Sequence, residues 1–278
     1  LGQKNMLEPG QKEIFIKAGV MHIMAVSGLH AVILSLFLSH LLFFLKGKLK
    51  PLRIVLTILL LWSFAFVTGL TPSVLRATLM FSFIETGRLI RRDANNINSV
   101  LASAFVLILL NPPVIFDAGF LLSYSAVIFI ICFYRELYLK ICCKTYITDK
   151  IWQSAVVTIV AQAGTLPLTI SLFNRFPVWF ILSNIVIVPL SSLLIIIGCL
   201  VPLTYPLKFI SEPLAWLLDW MTGLTEALTF RISALPFSSF GNIGMTGFEA
   251  FLLFSAILAT GFWLTHRKRI RAVIPLSM

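Results

Sequence analysis

The chain has 278 residues, of which 59% are hydrophobic and only 12% are charged, and its mean hydropathy is +0.97. A soluble domain carries about 25% charged residues, so this composition excludes an ordinary soluble enzyme, a disordered chain and a fibrous protein. The remaining class is a polytopic membrane protein, in which most of the helical surface faces lipid.

Apolar runs of membrane-spanning character follow one another along the chain. A helix needs about 20 apolar residues to cross a bilayer. The fourth run is short and ends at a double proline, so it either stands alone or joins its neighbour as a tilted or broken span. The sequence therefore predicts an all-α bundle of about eight to nine transmembrane helices, some broken or amphipathic. The runs are Val20–Leu45, Leu52–Thr68, Val74–Ile90, Val100–Leu110, Phe116–Phe133, Ile151–Phe173, Val178–Leu200, Pro213–Phe230 and Gly247–Thr265.

Basic residues are concentrated in alternate loops. Of the 22 Lys and Arg residues, 16 lie there: Lys46, Lys48, Lys50, Arg53, Arg88, Arg91, Arg92, Arg135, Lys140, Lys144, Lys150, Lys208, Arg267, Lys268, Arg269 and Arg271. Cytoplasmic loops retain Lys and Arg, so the N-terminus is predicted to lie outside and the C-terminus in the cytoplasm. This topology, rather than nucleic-acid binding, accounts for most of the net charge of +11.

The predicted organisation is a single transmembrane domain over residues 1–278. Residues 1–19 form a flanking segment on the outer surface, residues 20–265 the helical bundle, and residues 266–278 a basic cytoplasmic tail. The chain does not begin with Met, and we expect it to be one segment of a longer protein. Its four cysteines form no CxxC pair, so neither a disulfide framework nor a zinc site is indicated.

The eighth run, Pro213–Phe230, is amphipathic. Asp219, Thr222, Glu226 and Thr229 share one side of the predicted helix, and the leucines occupy the other. Such a helix lies either on the membrane surface or against an aqueous space. We favour a spanning helix, because that keeps the distribution of basic loops intact.

Arg76 and Glu85 lie within the third run, where insertion into lipid costs roughly 2.5–3.5 kcal/mol per charge. Arg76 and Glu85 are nine positions apart, which places them on opposite faces of a helix. Arg76 therefore needs a partner on another element, an aqueous cavity, or a route to the outer headgroups. For Glu85, pairing with Arg88 is the favoured alternative.

The first run contains a polar stretch. Ser27 and His30 lie on one helical face, with Gly28 between them for close helix contact. A serine hydrolase would need an oxyanion hole, which nothing supplies, and a metal site on His22 and His30 lacks a third ligand. We favour the polar wall of a water-filled path, while histidines buried among neighbouring helices remain the alternative.

Further polar residues of the spans are candidates for the same path. They are Ser73, Ser123, Tyr124, Gln162 and Asn184. Pro167 and Pro189 lie within spans and free backbone carbonyls, which indicates broken helices that line a cavity or pack on protein. No nucleotide-binding loop and no HExxH motif occurs.

Four ordered blocks resemble the ComEC competence family. They are Ala18 to His30 (AGVMHIMAVSGLH), Gly69 to Ala77 (GLTPSVLRA), Asn111-Pro112 with Asp117 to Tyr124 (DAGFLLSY), and Thr165-Leu166-Pro167 with Asn184 to Pro189. The resemblance implies an inner-membrane channel that carries single-stranded DNA into the cytoplasm during natural transformation. The path would be lined by His22, Ser27, Gly28, His30, Ser73, Arg76, Ser123, Tyr124, Gln162 and Asn184.

The resemblance also implies partners outside this chain. These are single-stranded DNA, membrane lipid, a DNA receptor on the outer face and a helicase-like cytoplasmic motor, with homo-oligomerisation left open. The chain has no HxHxDH run, so we expect no nuclease centre, no catalytic residue, no metal and no cofactor. A small-molecule secondary transporter remains an alternative, and an intramembrane serine hydrolase is a weaker one.

Overall fold

The computed structural model describes residues 14–15, 17–20, 28–89, 96–141, 145–236, 238–241 and 243–273, and all of their side chains except those of 28, 29, 88 and 264–273. Within these ranges the chain forms nine α-helices: α1 (Gly28–Leu41), α2 (Lys50–Val67), α3 (Pro72–Leu89), α4 (Asn96–Leu110), α5 (Ala118–Tyr138), α6 (Tyr146–Phe173), α7 (Phe180–Thr204), α8 (Lys208–Ser233) and α9 (Gly247–Val273). Two 3-10 turns, Gly47–Leu49 and Pro112–Phe116, and two short strands, β1 (Arg175–Pro177) and β2 (Ser239–Gly241), complete the elements.

Membrane-spanning character is strongest in four helices. The segments Gly47–Val67, Ala118–Tyr138, Tyr146–Phe173 and Phe180–Thr204 are long and apolar enough to cross a bilayer. Shorter apolar stretches occur at His30–Leu41, Asn96–Leu110 and Gly247–Trp263. The prediction of an all-α polytopic membrane protein is confirmed, since each predicted run overlaps one of the nine helices.

Two details differ from the sequence-based expectation. α6 continues through Pro167 and α7 through Pro189, so neither helix is broken at its proline. Each proline lacks one N–H donor, but the turns around it keep their remaining bonds, as in many proline-containing membrane helices. The short fourth run does not merge with its neighbour: α4 ends at Leu110, and a 3-10 turn separates it from α5.

The described residues divide into two compact units. The first comprises the described parts of Leu1–Phe120 and Pro177–Ser239, and therefore holds α1 to α4, α7 and α8. Ala31 and Leu34 of α1, Leu61 of α2 and Ala77 of α3 form one of its buried clusters. Small residues at 31 and 77 let these helix backbones approach closely, as helices do in membranes.

α7 and α8 form an antiparallel hairpin within this first unit. Ile187 near the start of α7 and Ile232 near the end of α8 share one buried cluster. The N–H of Val178 donates to the carbonyl of Ser238 at 3.1 Å, and the Trp179 indole donates to the carbonyl of Pro236 at 3.1 Å. The open end of the hairpin is therefore tied together, and β1 pairs with β2 beside it.

The side of α8 that packs inward is broader than the sequence predicted. Asp219, Thr222 and Glu226 are exposed as expected, but Thr229 is fully buried. Its hydroxyl donates to the carbonyl of Thr225 at 2.7 Å, which satisfies the group without water. The placement of Thr229 on the polar side was wrong, because a threonine can bond its own helix and then pack as a small apolar residue.

The second unit comprises the described parts of Leu121–Phe176 and Phe240–Met278, and it holds α5 from Leu121 onward, α6 and α9, while the first turn of α5 belongs to the first unit. Its core is aromatic and β-branched, with Phe129, Val156 and Val160 buried together. The ring of Phe129 packs edge-on against Phe254, with the ring centroids 5.6 Å apart. This contact joins α5 to α9, while Val156 and Val160 bring α6 against the same ring.

Candidate functional site

Arg76 is the most deeply buried charge among the described residues, and its partner comes from another element. It lies in the second turn of α3 with only 4% of its surface exposed. Its Nη1 donates to Oδ2 of Asp117, 41 residues later, at 3.3 Å. The guanidinium is thus turned into the protein, and the alternative in which it reaches the outer headgroups was wrong, because a partner within the fold satisfies it.

Asp117 is held in place by the start of α5. It follows the 3-10 turn Pro112–Phe116 and immediately precedes Ala118, the first residue of the helix. Its Oδ2 accepts a hydrogen bond from the N–H of Phe120 at 3.0 Å, the usual bond of an N-terminal capping residue. The carboxylate also benefits from the partial positive charge at the start of the helix.

Ser73 and Gly119 complete the surroundings of the ion pair. Oγ of Ser73 accepts from Nη2 of Arg76 at 3.2 Å, one turn earlier on α3. A Cβ placed on Gly119 would lie 3.1 Å from Nη2 and 3.2 Å from Oδ2 of Asp117. Glycine at this position therefore provides the space in which the guanidinium and the carboxylate meet. We call Ser73, Arg76, Asp117, Gly119 and Phe120 the ion-pair site.

The ion-pair site is closed on one side and open on the other. The Arg76 side chain is 5% exposed, whereas the Asp117 side chain is 47% exposed. The two charges compensate one another, and the start of α5 adds a weak positive potential. The open side therefore presents the Asp117 carboxylate, and the guanidinium donors of Arg76 lie behind it.

The first-span candidates are only partly covered by the described residues. His22 and Ser27 lie outside them, and Gly28 is the first residue of α1. His30 lies in the first turn of α1 and is buried, with 9% of its surface exposed. The residues that follow His30 and Arg76 share the buried cluster of Ala31 and Ala77, so α1 and α3 pack together at this level.

The remaining candidates fall into both units. Asn184 belongs to the first unit, and its Oδ1 is buried without a hydrogen-bond partner in the described part of the chain, as is Oγ of the adjacent Ser183. Ser123, Tyr124 and Gln162 belong to the second unit, where Tyr124 is buried and the other two are half-buried. Ser73 and Arg76 are thus brought into direct contact, whereas the candidate set as a whole is divided between two units.

Two contacts were not expected from the sequence. One is Asp117 as the partner of Arg76, and the other is Ser125, whose hydroxyl donates to the carbonyl of Gly164 at 2.6 Å. An aspartate directly before a helix start is a recognisable capping signal and could have singled out Asp117. Among the residues that the structure describes, no three His, Cys, Asp or Glu side chains lie close enough together to hold a metal ion.

Comparison with known proteins gives a consistent picture. A family model described as Competence protein matches residues 1–268. The chain is 31% identical over 198 residues to ComE operon protein 3 of Bacillus subtilis (strain 168); this match covers 71% of the chain and 24% of that protein. The chain therefore spans about a quarter of the length of this curated relative. No solved structure matches the chain.

Proposed function

Since this chain belongs to the Competence protein family, we propose that it forms part of an inner-membrane channel that passes single-stranded DNA into the cytoplasm during natural transformation. The proposal is transport, and it assigns no catalytic step to this chain. The observation that carries it is the ion-pair site, a charge-compensated arginine with one open side in an otherwise apolar helical protein.

A nucleic-acid strand carries one negative charge per nucleotide, and bare phosphate does not enter lipid. A channel for it must enclose a hydrated path with hydrogen-bond donors along its wall. We propose Arg76 and Ser73 as part of this wall, with His22, Ser27, Gly28 and His30 from the start of the chain. Ser123, Tyr124, Gln162 and Asn184 complete the proposed lining.

Charge compensation at Arg76 suits transient contact. A phosphate reaches the buried guanidinium donors of Arg76 only by displacing the Asp117 carboxylate, which is the exposed partner of the pair. When the phosphate moves on, the carboxylate regains the bond at little net cost, because one charge-assisted hydrogen bond replaces another. A row of uncompensated arginines would instead hold the strand, since conduction requires that each site release what it binds.

The proposed orientation places the N-terminus outside the cytoplasmic membrane and the C-terminus in the cytoplasm, as the basic loops predict. A DNA receptor at the outer face would deliver the strand. No nucleotide-binding motif occurs in the sequence, so a separate helicase-like motor in the cytoplasm would draw it in. Self-association of the chain is compatible with this arrangement and is not required by it.

The experiment compares three variants of the full-length protein in a transformable host: Arg76→Lys, Arg76→Gln, and the double variant Arg76→Gln with Asp117→Asn. DNA inside the cytoplasm is scored with radiolabel and separated from DNA bound outside, at matched protein levels. The double variant removes both charges but leaves no buried charge without a partner, so it is expected to accumulate normally.

We expect Arg76→Lys to retain part of the uptake, and the double variant to lose at least tenfold while external binding is unchanged. Arg76→Gln alone should lose uptake as well, with a lower protein level because Asp117 loses its partner. If the stable double variant takes up DNA at the normal rate, Arg76 has no part in conduction and the proposed role of the ion-pair site is wrong.

A further inference from the structure

Three carboxylates form an exposed row along α8. Glu212, Asp219 and Glu226 follow each other at intervals of seven residues, so they stand nearly above one another on the helix, about 10.5 Å apart. All three side chains are exposed. We call this set the carboxylate row.

The carboxylate row differs from every other acidic side chain in the described part of the chain. Asp117, Asp149 and Glu249 accept hydrogen bonds from neighbouring groups, and Glu85 and Glu136 also have partners. No described residue donates a hydrogen bond to Glu212, Asp219 or Glu226 or forms an ion pair with them. Their negative charge is therefore left for the surroundings of the helix to solvate.

The depth of the row follows from the α7–α8 hairpin. α7 is the most apolar of the four candidate spans. α8 returns along it, from the turn after Thr204 to the bonds that tie Val178 and Trp179 to the segment after Ser233. A helix that starts and ends level with a span crosses the same thickness. α8 is not itself among the segments apolar enough to span, so its depth follows from α7: where α7 crosses the bilayer, Asp219, near the middle of the 26-residue α8, lies near the middle of the membrane.

Contact with lipid is unfavourable for the face of α8 that carries the row, because an ionised carboxylate in hydrocarbon loses its hydration and forms no compensating interaction. A lipid-facing surface looks different: on α2 the exposed residues include Val55 and Leu59. We propose that the outward face of α8 borders a water-filled space across the membrane, and that the carboxylate row makes this space attract cations and repel anions.

Aromatic side chains fit the same environment. Trp216 and Trp220 lie beside the carboxylate row on α8 and are 70% and 54% exposed. An indole combines an apolar body with one polar N–H, so it suits the boundary between a wet surface and an apolar one. The two indoles that flank the carboxylate row are therefore suited to contact with both water and an apolar surface. This inference concerns a hydrated space at the outward face of α8 and not the DNA path of the proposed function, because a wall that repels anions would oppose a phosphate strand.

The test measures water and charge directly, in membrane vesicles that contain the full-length protein without native cysteines; in this chain Cys132, Cys142, Cys143 and Cys199 become serine. Single cysteines are introduced as Glu212→Cys, Asp219→Cys and Glu226→Cys. Each is treated with two membrane-impermeant thiol reagents, one methanethiosulfonate carrying trimethylammonium and one carrying sulfonate. Leu59→Cys, exposed near the middle of α2 but without charged neighbours, is the matched control. No DNA is added.

We expect all three α8 positions to react, including Asp219→Cys, and Leu59→Cys to react with neither reagent. The ratio of the two rates cancels differences in thiolate formation. At Asp219→Cys the ratio of the cationic to the anionic rate should be about threefold higher than for a free thiol. The reason is the attraction of the two remaining carboxylates, Glu212 and Glu226, which are near 10 Å away and screened by salt. Adding Glu212→Gln and Glu226→Gln should bring the ratio back to that of the free thiol.

Two results would overturn the inference. If Asp219→Cys stays unreactive until the membrane is dissolved, the middle of α8 is covered by lipid or protein and the hydrated space is not there. If it reacts with no preference for the cationic reagent, the row does not set the charge of the space. Should Asp219→Cys fail to accumulate, Thr222→Cys on the same exposed side takes its place. Because no uptake is scored, these results are independent of the proposed DNA channel.

Discussion

The ring of Phe129 on α5 lies directly against the backbone of Gly164 on α6. A Cβ at position 164 would come within 2.7 Å of Cγ of Phe129, closer than any real contact of a methyl group. The two helices can approach this closely because residue 164 has no side chain, which is how small residues tighten helix packing in membranes.

We expect Gly164→Val to destabilise the second unit by about 1–3 kcal/mol, because the added side chain cannot fit without moving Phe129. In detergent this corresponds to a fall in Tm of roughly 3–10 °C. Gly198→Val is the control, since a Cβ there meets nothing within 4 Å. Gly164→Val should cost less stability in a Phe129→Ala background than in the unmodified protein, and an equal cost in both backgrounds would contradict this explanation.

Ser125→Ala should lower the stability of the same unit by about 0.5–1.5 kcal/mol, because the hydroxyl of Ser125 donates across the helices to the carbonyl of Gly164. Ser123→Ala, two residues earlier on α5, removes a half-buried hydroxyl for which the described residues supply no partner. Thermal unfolding of the two variants in the same detergent checks the difference. Equal Tm values would show that the 2.6 Å bond contributes nothing.

Asp117→Asn should destabilise the first unit by about 1–2 kcal/mol, between the values for exposed and buried pairs, because Arg76 is buried while Asp117 is half-exposed. Adding Arg76→Gln to Asp117→Asn should restore most of this stability, since no buried charge is then left without a partner. A thermal-unfolding double-mutant cycle measures the coupling. Additive effects of the two substitutions would mean that the side chains do not interact.

The α7–α8 hairpin predicts that the two ends of α8 lie on opposite sides of the membrane. Alkaline phosphatase, which is active only outside the cytoplasm, should be inactive when fused after Pro206 and active when fused after Gly244. The reason is that α8 returns to the side from which α7 started. Matched β-galactosidase fusions, which show the opposite activity, serve as the control. The same activity at both sites would mean that α8 does not cross, and would also remove the basis for a hydrated face at membrane depth.

Much of the architecture could be predicted from the sequence, because hydropathy is a property of contiguous residues. The nine apolar runs correspond to the nine helices of the described chain, and four ordered blocks identified the competence family. Arg76 was recognised as a charge that needs a partner beyond its own helix, and the structure supplied one. The effect of Pro167 and Pro189 was not predictable in the same way, because a proline changes a helix only as far as its neighbours allow.

The sequence by itself determined that most of the surface of this protein faces lipid, since too few charges are present to cover a water-facing surface. It also determined which apolar segments form that surface. What only the tertiary structure decided is which polar groups meet. Asp117 reaches Arg76 across 41 residues, Thr229 turns inward, and the carboxylate row is left exposed. These outcomes depend on which helices pack side by side, and a side chain finds its partner in space rather than along the chain.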